Sequence, residues 1–371
     1  MIQLYKIENT NYKKNGDFTL EPLSATLHLI LNGAWTLTME LPILNKNDND
    51  FGKSDIKELA TDFITIGSVV AIDYPYRKHQ LFVVDEIQKD DEFLTIICYP
   101  IFVMDTKNTV MLDDVRPINK TAYQAVEYLL KDYPQYTLKG SDLGGRTYTA
   151  YYQKKNFMEA LAGDDDNSII KRWRCEVEYD NFQIEVAPII TSFSDFVIQY
   201  GLNMQGIEVT IDSSDLCTEI TPVGAYGRKG TKEKSPLYDN YRTGYSKYIK
   251  FEDIVLREDL EPDADTTNLS IYDDVFKFND ALHKEVDKLF KSGIDKPRTT
   301  YSIDMIDVSK TDQYKDYSSL LNVWLGSEVT VKNKNLNLDQ KTRVVELEYD
   351  VIEKEITNLT LNSNKKNYLF N

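Results

Sequence analysis

Cysteine, histidine and tryptophan each occur only three times in 371 residues, and each scarcity removes a class of chemistry. Cys98, Cys175 and Cys217 lie far apart, each in an apparent strand and without a Cys-x-x-Cys spacing, so a disulfide framework or structural zinc site is not expected and buried small hydrophobes are. His28, His79 and His283 are equally scattered, and no metal set or acid–base pair can be assembled from their spacing. Neither His-Glu-x-x-His nor Gly-x-Ser-x-Gly occurs. No eighteen apolar residues run together, and the first eighteen residues lack the apolar core and cleavage site of a secretory signal; a chain made and folded in a cytoplasm, with no membrane span, is expected. Basic side chains are in deficit, 43 Lys and Arg against 60 Asp and Glu. The resulting net charge of −17 repels a phosphate backbone and argues against a nucleic-acid reader.

What is present describes a folded protein of several parts. Hydrophobic residues make up 42% and charged ones 28%, which suits packed domains, and the length exceeds one comfortable core. From residue 1 to about 105 the pattern is almost wholly β. Leu23, Ala25, Leu27, Leu29 and Leu31 alternate with polar or small partners, Asn32-Gly33 is a hairpin turn, and Trp35, Leu37, Met39 and Leu41 resume the alternation. A polar loop follows over 45–53. Ile64, Ile66, Val69 and Ala71, then Leu81 and Val83, then Leu94, Ile96 and Cys98 complete an antiparallel series of the spacing expected for a small barrel or sandwich. Trp35, on an alternating strand, reads as core rather than as a glycan-stacking ring.

Between 106 and 195 the period changes. Ala122, Ala125, Val126, Leu129 and Leu130 share one helical face behind the capping residue Thr121, which predicts a helix over 121–132. A second short helix starts at Asn156, with Glu159 completing a capping box, and ends near Gly163. Asp164, Asp165 and Asp166 follow as a solvated loop, since adjacent carboxylates diverge and calcium loops need alternate ligands. Trp173, Cys175, Val177 and Tyr179 alternate into a hairpin with Phe182, Ile184 and Val186. Residues 228–248 read as a long loop, with five tyrosines between 226 and 248 interleaved with Arg228, Lys229, Lys232 and Arg242; the overall charge favours a packed or inter-subunit loop over a single-strand binding surface. Val275, Phe278, Leu282, Val286, Leu289 and Phe290 then form an apolar stripe on a helix from Asp273 to Gly293. Strands resume at Pro297 with Tyr301, Ile303 and Ile306, and again around Val329, Val344 and Leu359.

The middle, residues 200–227, reads as two strands around the turn Asp212-Ser213-Ser214-Asp215: Ile207, Val209 and Ile211 alternate before it, and Leu216, Ile220 and Val223 follow. Its order is Tyr200-Gly201-x-Asn203, a strand, a Ser/Asp turn, then Thr218-x-x-x-Pro222-x-Gly224-x-Tyr226-Gly227. Together with Asn32-Gly33-Ala34-Trp35-Thr36-Leu37-Thr38, Asn156-Phe157-Met158-Glu159-Ala160-Leu161, Leu325-Gly326-Ser327-Glu328-Val329 and Tyr349-Asp350, it resembles the tail-associated hub proteins of bacteriophages, the prophage endopeptidase tail or phage minor structural protein family. The resemblance covers most of the chain and is weakest between about 230 and 317.

With that resemblance, the expected fold is β-rich α+β and multidomain: a β-barrel-like domain over 1–105, an α+β domain over 106–195, a second barrel-like domain split between 196–227 and 319–362, an inserted α+β domain over 228–318, and a flexible tail over 363–371. The two barrels share no visible residue-by-residue repeat, so their similarity is what the resemblance implies. It also implies a homotrimer whose two barrels per chain form a six-fold pseudo-symmetric ring. The implied partners are a distal tail protein or tail tube, the tape measure protein and tip or receptor-binding proteins. DNA passes without specific binding; an acidic lumen would suit that transit, while charge spread evenly over the outer surface is the favoured reading of the net charge. No catalytic, cofactor-binding or metal-ligating residue is expected. Two other readings compete. Longer relatives carry a cell-wall hydrolase after the hub, for which the short polar tail leaves no room here; a carboxylate pair could still serve a glycosidase, which spacing in sequence does not reveal. The 25 tyrosines and 15 phenylalanines could instead serve a receptor-binding module.

Overall fold

The computed structural model describes residues 1–43, 60–107, 111–140, 147–165, 167–190, 196–262, 266, 269–306 and 323–362. The loop expected over 45–53, Asp166 and the tail over 363–371 lie outside them. In chain order the strands of the first part are β1 (Ile2–Tyr5), β2 (Phe18–Leu20), β3 (Ser24–Ile30), β4 (Trp35–Pro42), β5 (Val69–Tyr74), β6 (Arg77–Lys89) and β7 (Phe93–Pro100). A compact α+β module follows: α1 (Ile101–Lys107), β8 (Met111–Leu112), α2 (Ala122–Leu129), β9 (Thr137–Gly140), β10 (Lys155–Asn156), α3 (Phe157–Ala162), α4 (Ile169–Trp173), β11 (Glu176–Asp180) and β12 (Gln183–Ala187). Both expected capping boxes form, Thr121 with Gln124 and Asn156 with Glu159. Trp173 and Cys175, expected in a strand, belong instead to α4 and to the left-handed turn at Arg174 (φ 54°) that ends it.

The remaining strands are β13 (Phe196–Gln199), β14 (Met204–Asp212), β15 (Glu219–Gly224), β16 (Glu233–Lys234), β17 (Ser246–Phe251), β18 (Ile254–Leu256), β19 (Ser270–Tyr272), β20 (Arg298–Met305), β21 (Glu328–Asn333), β22 (Leu338–Asp350) and β23 (Glu355–Asn362), with α5 (Val275–Lys291) before β20. Here the expected hairpin over 200–227 is not formed. β14 pairs with β20, across an 85-residue excursion, while β15 pairs with β16 and β17. The polar turn at 212–215 leads out of one sheet into another. Strand β16 also lies inside the stretch read as loop, and β17 begins at its end; β17 alternates exposed and half-buried positions on an edge, so its apolar face is too narrow to betray a period. Helix α5 is capped by Asp274, one residue after the expected Asp273, and buries Phe278, Leu282, Val286 and Leu289 against β15 and β18.

The large sheet runs β14-β20-β23-β22-β3-β4-β7-β6-β5-β1-β2, with β13 and β21 attached beside β22. It joins the N-terminal and C-terminal strands in one open sheet. No closed barrel forms among the described residues: where each expected barrel would have to turn back on itself, β3 pairs with β22 and carries the sheet onward. Leu27, Leu29, Leu347 and Tyr349 are buried at that seam, within a core that also takes in the α+β module.

A repeat invisible in sequence emerges from this topology. The order β3-β4-β7-β6-β5-β1 is matched, strand for strand, by β14-β20-β23-β22-β21-β13, the last contact being antiparallel in the first run and parallel in the second. The middle strands β6 and β22 are both 13 residues long, β7 and β23 both 8. Each long strand carries a register shift at the matching place, Val84/Glu86 and Val344/Glu346. Each run enters through the same turn. Gly67 and Gly326 have φ of 89° and 81°, a region that favours glycine. Ser68 Oγ accepts the Thr65 amide at 3.1 Å, as Ser327 Oγ accepts that of Trp324 at 2.9 Å. The Gly67 and Gly326 amides donate to Val84 O and Val344 O, both at 2.9 Å. Each run also closes its hairpin on an aspartate: Asp90 accepts the amides of Glu92 and Phe93, and Asp350 those of Ile352 and Glu353. What differs is the link between the first two strands, a tight turn at Asn32-Gly33 in one run and residues 213–297 in the other.

Candidate functional site

Three parts of the chain meet at β11, and the strand's alternation decides how. Val177 and Tyr179 face the core, where Tyr179 packs edge-on against Trp35 with ring centres 5.4 Å apart. Glu176, Glu178 and Asp180 occupy the opposite face, and each is engaged by an arginine from one of the two runs. Arg77 of β6 reaches Glu178 at 3.2 Å and also pairs with Asp180. Arg343 of β22 grips Glu176 with both terminal nitrogens, the Nη2 bond measuring 2.8 Å. It further donates Nε to Gly326 O at 2.7 Å and Nη2 to Ile190 O at 3.0 Å. Arg343 and Glu176 are buried, and the Ile190 amide completes Glu176 at 2.6 Å, so this ion pair is satisfied as a buried pair must be.

Two turn asparagines fix the module to the first run as well. Asn32, left-handed at φ 59°, accepts the Val177 amide at 3.0 Å and donates to Cys175 O at 3.0 Å. Asn181, at φ 50°, accepts the Leu81 amide at 2.7 Å and donates to His79 O at 2.9 Å. Sequence reasoning gave Asn32 its turn role only; the signal for more was an Asn in place of other turn formers at a position able to offer both an acceptor and a donor.

Beside Arg77 the parts leave a cleft of about 480 Å³ lined by Tyr76, Arg77, Lys78, Gln80, Lys139, Glu178, Asp180 and Trp324. Trp324 stacks on Tyr74 with ring centres 5.5 Å apart. Burial pushes the Glu178 carboxyl above its usual range, and Arg77 pulls against that shift. Gln80 holds Asp180 at 2.9 Å. Both carboxylates are thus committed to a guanidinium, and among the described residues no cysteine or serine lines the cleft. Chemically the arrangement is a clamp.

The other residues singled out in the sequence are dispersed. Cys98, Cys175 and Cys217 are buried free thiols, two of them outside strands. Trp35 is core, its Nε1 donating to Ile30 O at 3.2 Å. Among the five tyrosines, Tyr248 is capped by Lys229 and Tyr238 by Lys234. Asp165 pairs with Lys155. No group of three or more His, Cys, Asp or Glu among the described residues is placed to hold a metal ion, and no helix among them is long and apolar enough to cross a membrane.

His28 lies on the solvent side of the seam and bonds Glu346 at 2.5 Å, across β3 and β22. The bond to Glu346 raises the His28 pKa above the usual 6.5, against burial, and depresses that of Glu346 below 4.5. The histidine's contribution to stability is therefore complete below pH 6.5 and is lost as pH rises through its raised value. The glutamate's is complete above pH 4.5 and is lost as pH falls through its lowered value. For a part-exposed pair the gain is at most about 1 kcal/mol. Urea unfolding at about pH 5.5 and about pH 8.5 should show wild type exceeding His28→Gln by more at the lower pH. Equal gaps would contradict the pairing.

Against this geometry, comparison with known proteins gives a consistent pattern. Residues 193–368 match the family described as prophage endopeptidase tail. No curated protein matches in sequence. The whole chain superposes on the prophage tail protein gp18 from Listeria monocytogenes EGD-e, at 15% identity and a TM-score of 0.60, covering 98% of this chain and 95% of that one. It is similar to the 43 kDa tail protein of prophage MuSo2 from Shewanella oneidensis, at 12% identity and TM-score 0.60 over 100% and 99%. A tail protein from Neisseria meningitidis MC58 gives 10% identity and TM-score 0.60 over 98% and 97%. At such identities the likeness is one of fold.

Proposed function

We propose that this chain, whose residues 193–368 match the prophage endopeptidase tail family, is a phage tail-associated protein and a structural hub of the tail: three copies form a ring that adapts the tail tube to the tip and leaves a channel. The observation that carries this reading is the repeated six-strand run. A ring of three chains with two like runs each presents six quasi-equivalent positions, so one protein can meet a six-fold partner on one side and a three-fold one on the other. In this reading 213–297 is a domain inserted within the second run, and 106–190 a bracket locked to both runs by Arg77 and Arg343. The face of the sheet away from its core carries Glu40, Glu208, Asp304, Glu346, Glu348 and Asp350, the last three at alternate positions of β22, with His28 and Arg298 on the same face. Turned toward a lumen, those carboxylates repel a passing DNA backbone. The role is non-enzymatic, because the carboxylates of the cleft are occupied by Arg77 and the clamp joins parts of the chain. Light scattering on the purified chain should give three times the 42.9 kDa chain mass, and cell-wall suspensions should not clear. A monomer at all concentrations, or robust clearing, overturns the reading.

A further inference from the structure

The seam inside the chain is a template for a contact between chains. At the seam β3 pairs antiparallel with the far half of β22: Ile30 lies opposite Glu346, Leu29 opposite Leu347, His28 opposite Glu348, Leu27 opposite Tyr349 and Thr26 opposite Asp350. Only that half of β22 is available, because β21 covers residues 338–343. The first run has the same vacancy: β5 ends its cover of β6 at Val83, and among the described residues nothing pairs with the outer edge of 86–90. The second run has the matching plug. Its counterpart of β3 is β14, an edge strand paired on one side only.

The strand registers fix the correspondence. Leu27 faces Leu37, which faces Cys98; Val209 faces Tyr301, which faces Leu361. Val209 therefore stands where Leu27 stands, and Ile211 where Leu29 stands. Leu27 and Leu29 are wholly buried, whereas Val209 is 38% and Ile211 70% exposed. An apolar alternation kept on an uncovered edge strand is a hazard that proteins ordinarily blunt, unless the edge has a partner.

We propose that β14 of one copy pairs antiparallel with residues 86–90 of the next copy, repeating the internal seam in the register Ile211 to Ile87 and Thr210 to Gln88. This rests on the ring reading and adds its joint: the contact is head-to-tail, so each copy uses β14 once and β6 once, and closure after three copies leaves no free edge of this kind. The template also gives the bonding pattern. Leu31 donates to Val345 O and Val351 to Ala25 O, both at 2.9 Å, so odd-numbered residues of β3 make the cross-seam bonds and His28 faces Glu348 in a close, non-bonded pair. By correspondence the amides of Val209 and Ile211 point to the neighbour, and Thr210 meets Gln88 in a close pair. At the two ends of the register Glu86 faces Asp212 and Asp90 faces Glu208, pairs of like charge that oppose association; the joint therefore strengthens with salt.

The test uses the full chain carrying Gln88→Cys and Thr210→Cys together. Both positions are exposed while the three native cysteines are buried, and a close pair suits disulfide geometry. Mild oxidation should give a covalent three-chain species on non-reducing gels, and neither single variant should. Trimers by mass that do not crosslink overturn this joint and leave the ring reading standing. Monomers that do not crosslink overturn both. A ladder beyond three chains supports the pairing and overturns three-chain closure. Independently, Val209→Pro removes an outward amide while sparing the bonds to β20; it should keep the wild-type circular dichroism and lose the trimer. A Val209→Pro trimer as stable as wild type overturns the proposal. Raising salt from about 0.05 to about 0.5 M should tighten wild-type association, and weakening instead contradicts the register.

Discussion

Replacing Arg343 with alanine is expected to destabilise the protein by about 3–5 kcal/mol, the usual result of stranding one member of a buried ion pair. The guanidinium is bonded to Glu176, Gly326 O and Ile190 O, so the substitution strips partners from three places at once and leaves the Glu176 carboxylate buried. A charge in that position has to find water or a proton, and either opens the junction between β11 and β22. The double variant Glu176→Leu with Arg343→Met separates this from a mere loss of packing. Removing both charges abolishes the desolvation cost along with the attraction, so the pair should be far closer to wild type than Arg343→Ala is. Chemical denaturation of the three proteins decides it. A double variant as unstable as the single one would mean that Arg343 acts through shape alone.

Trp324→Ala should cost a similar amount, about 3–5 kcal/mol, from removal of a large buried aromatic. Its ring is 3% exposed and joins the two runs: it stacks on Tyr74 at the end of β5 and meets Tyr349 of β22 edge-on at 5.9 Å. Tyr76 closes a third side at 5.9 Å. Backbone effects are not expected to dominate, because the turn that follows is set by Gly326 and by Ser327 Oγ, which takes the residue 324 amide whatever side chain stands there. Trp324→Phe should therefore recover more than half of the loss. If alanine costs less than about 1 kcal/mol, a value typical of surface positions, the two runs are held by the sheet seam and not by this stack.

Local structure was readable from the residues and long-range pairing was not. Asn32-Gly33, the caps at Thr121 and Asn156 and the stripe of α5 declare themselves within a few positions, because caps and turns depend on neighbours in sequence. The partner of β14 does not: the next strand in sequence is β15, and nothing in Ile207, Val209 and Ile211 says that β20 will be preferred. The repeat was equally hidden. Of the geometry shared by the two runs, Gly67-Ser68-x-Val70 and Gly326-Ser327-x-Val329 are a common spelling, and beyond them the identities are scattered, as at Val84 and Val344, Glu86 and Glu346, and Asp90 and Asp350, since a sheet face asks for apolar alternation and is indifferent to which apolar residue supplies it. The clamp escaped for another reason. Glu176 and Arg343 are 167 positions apart, and among 60 acidic and 43 basic side chains one buried pair has no signature before the fold is known.

The hub account stands most directly on what the purified protein looks like in the electron microscope. Class averages down the main axis should show six lobes around an open centre, with alternate lobes differing by the mass of residues 213–297. Single compact particles of one chain, or rings whose lobes do not alternate, would contradict it.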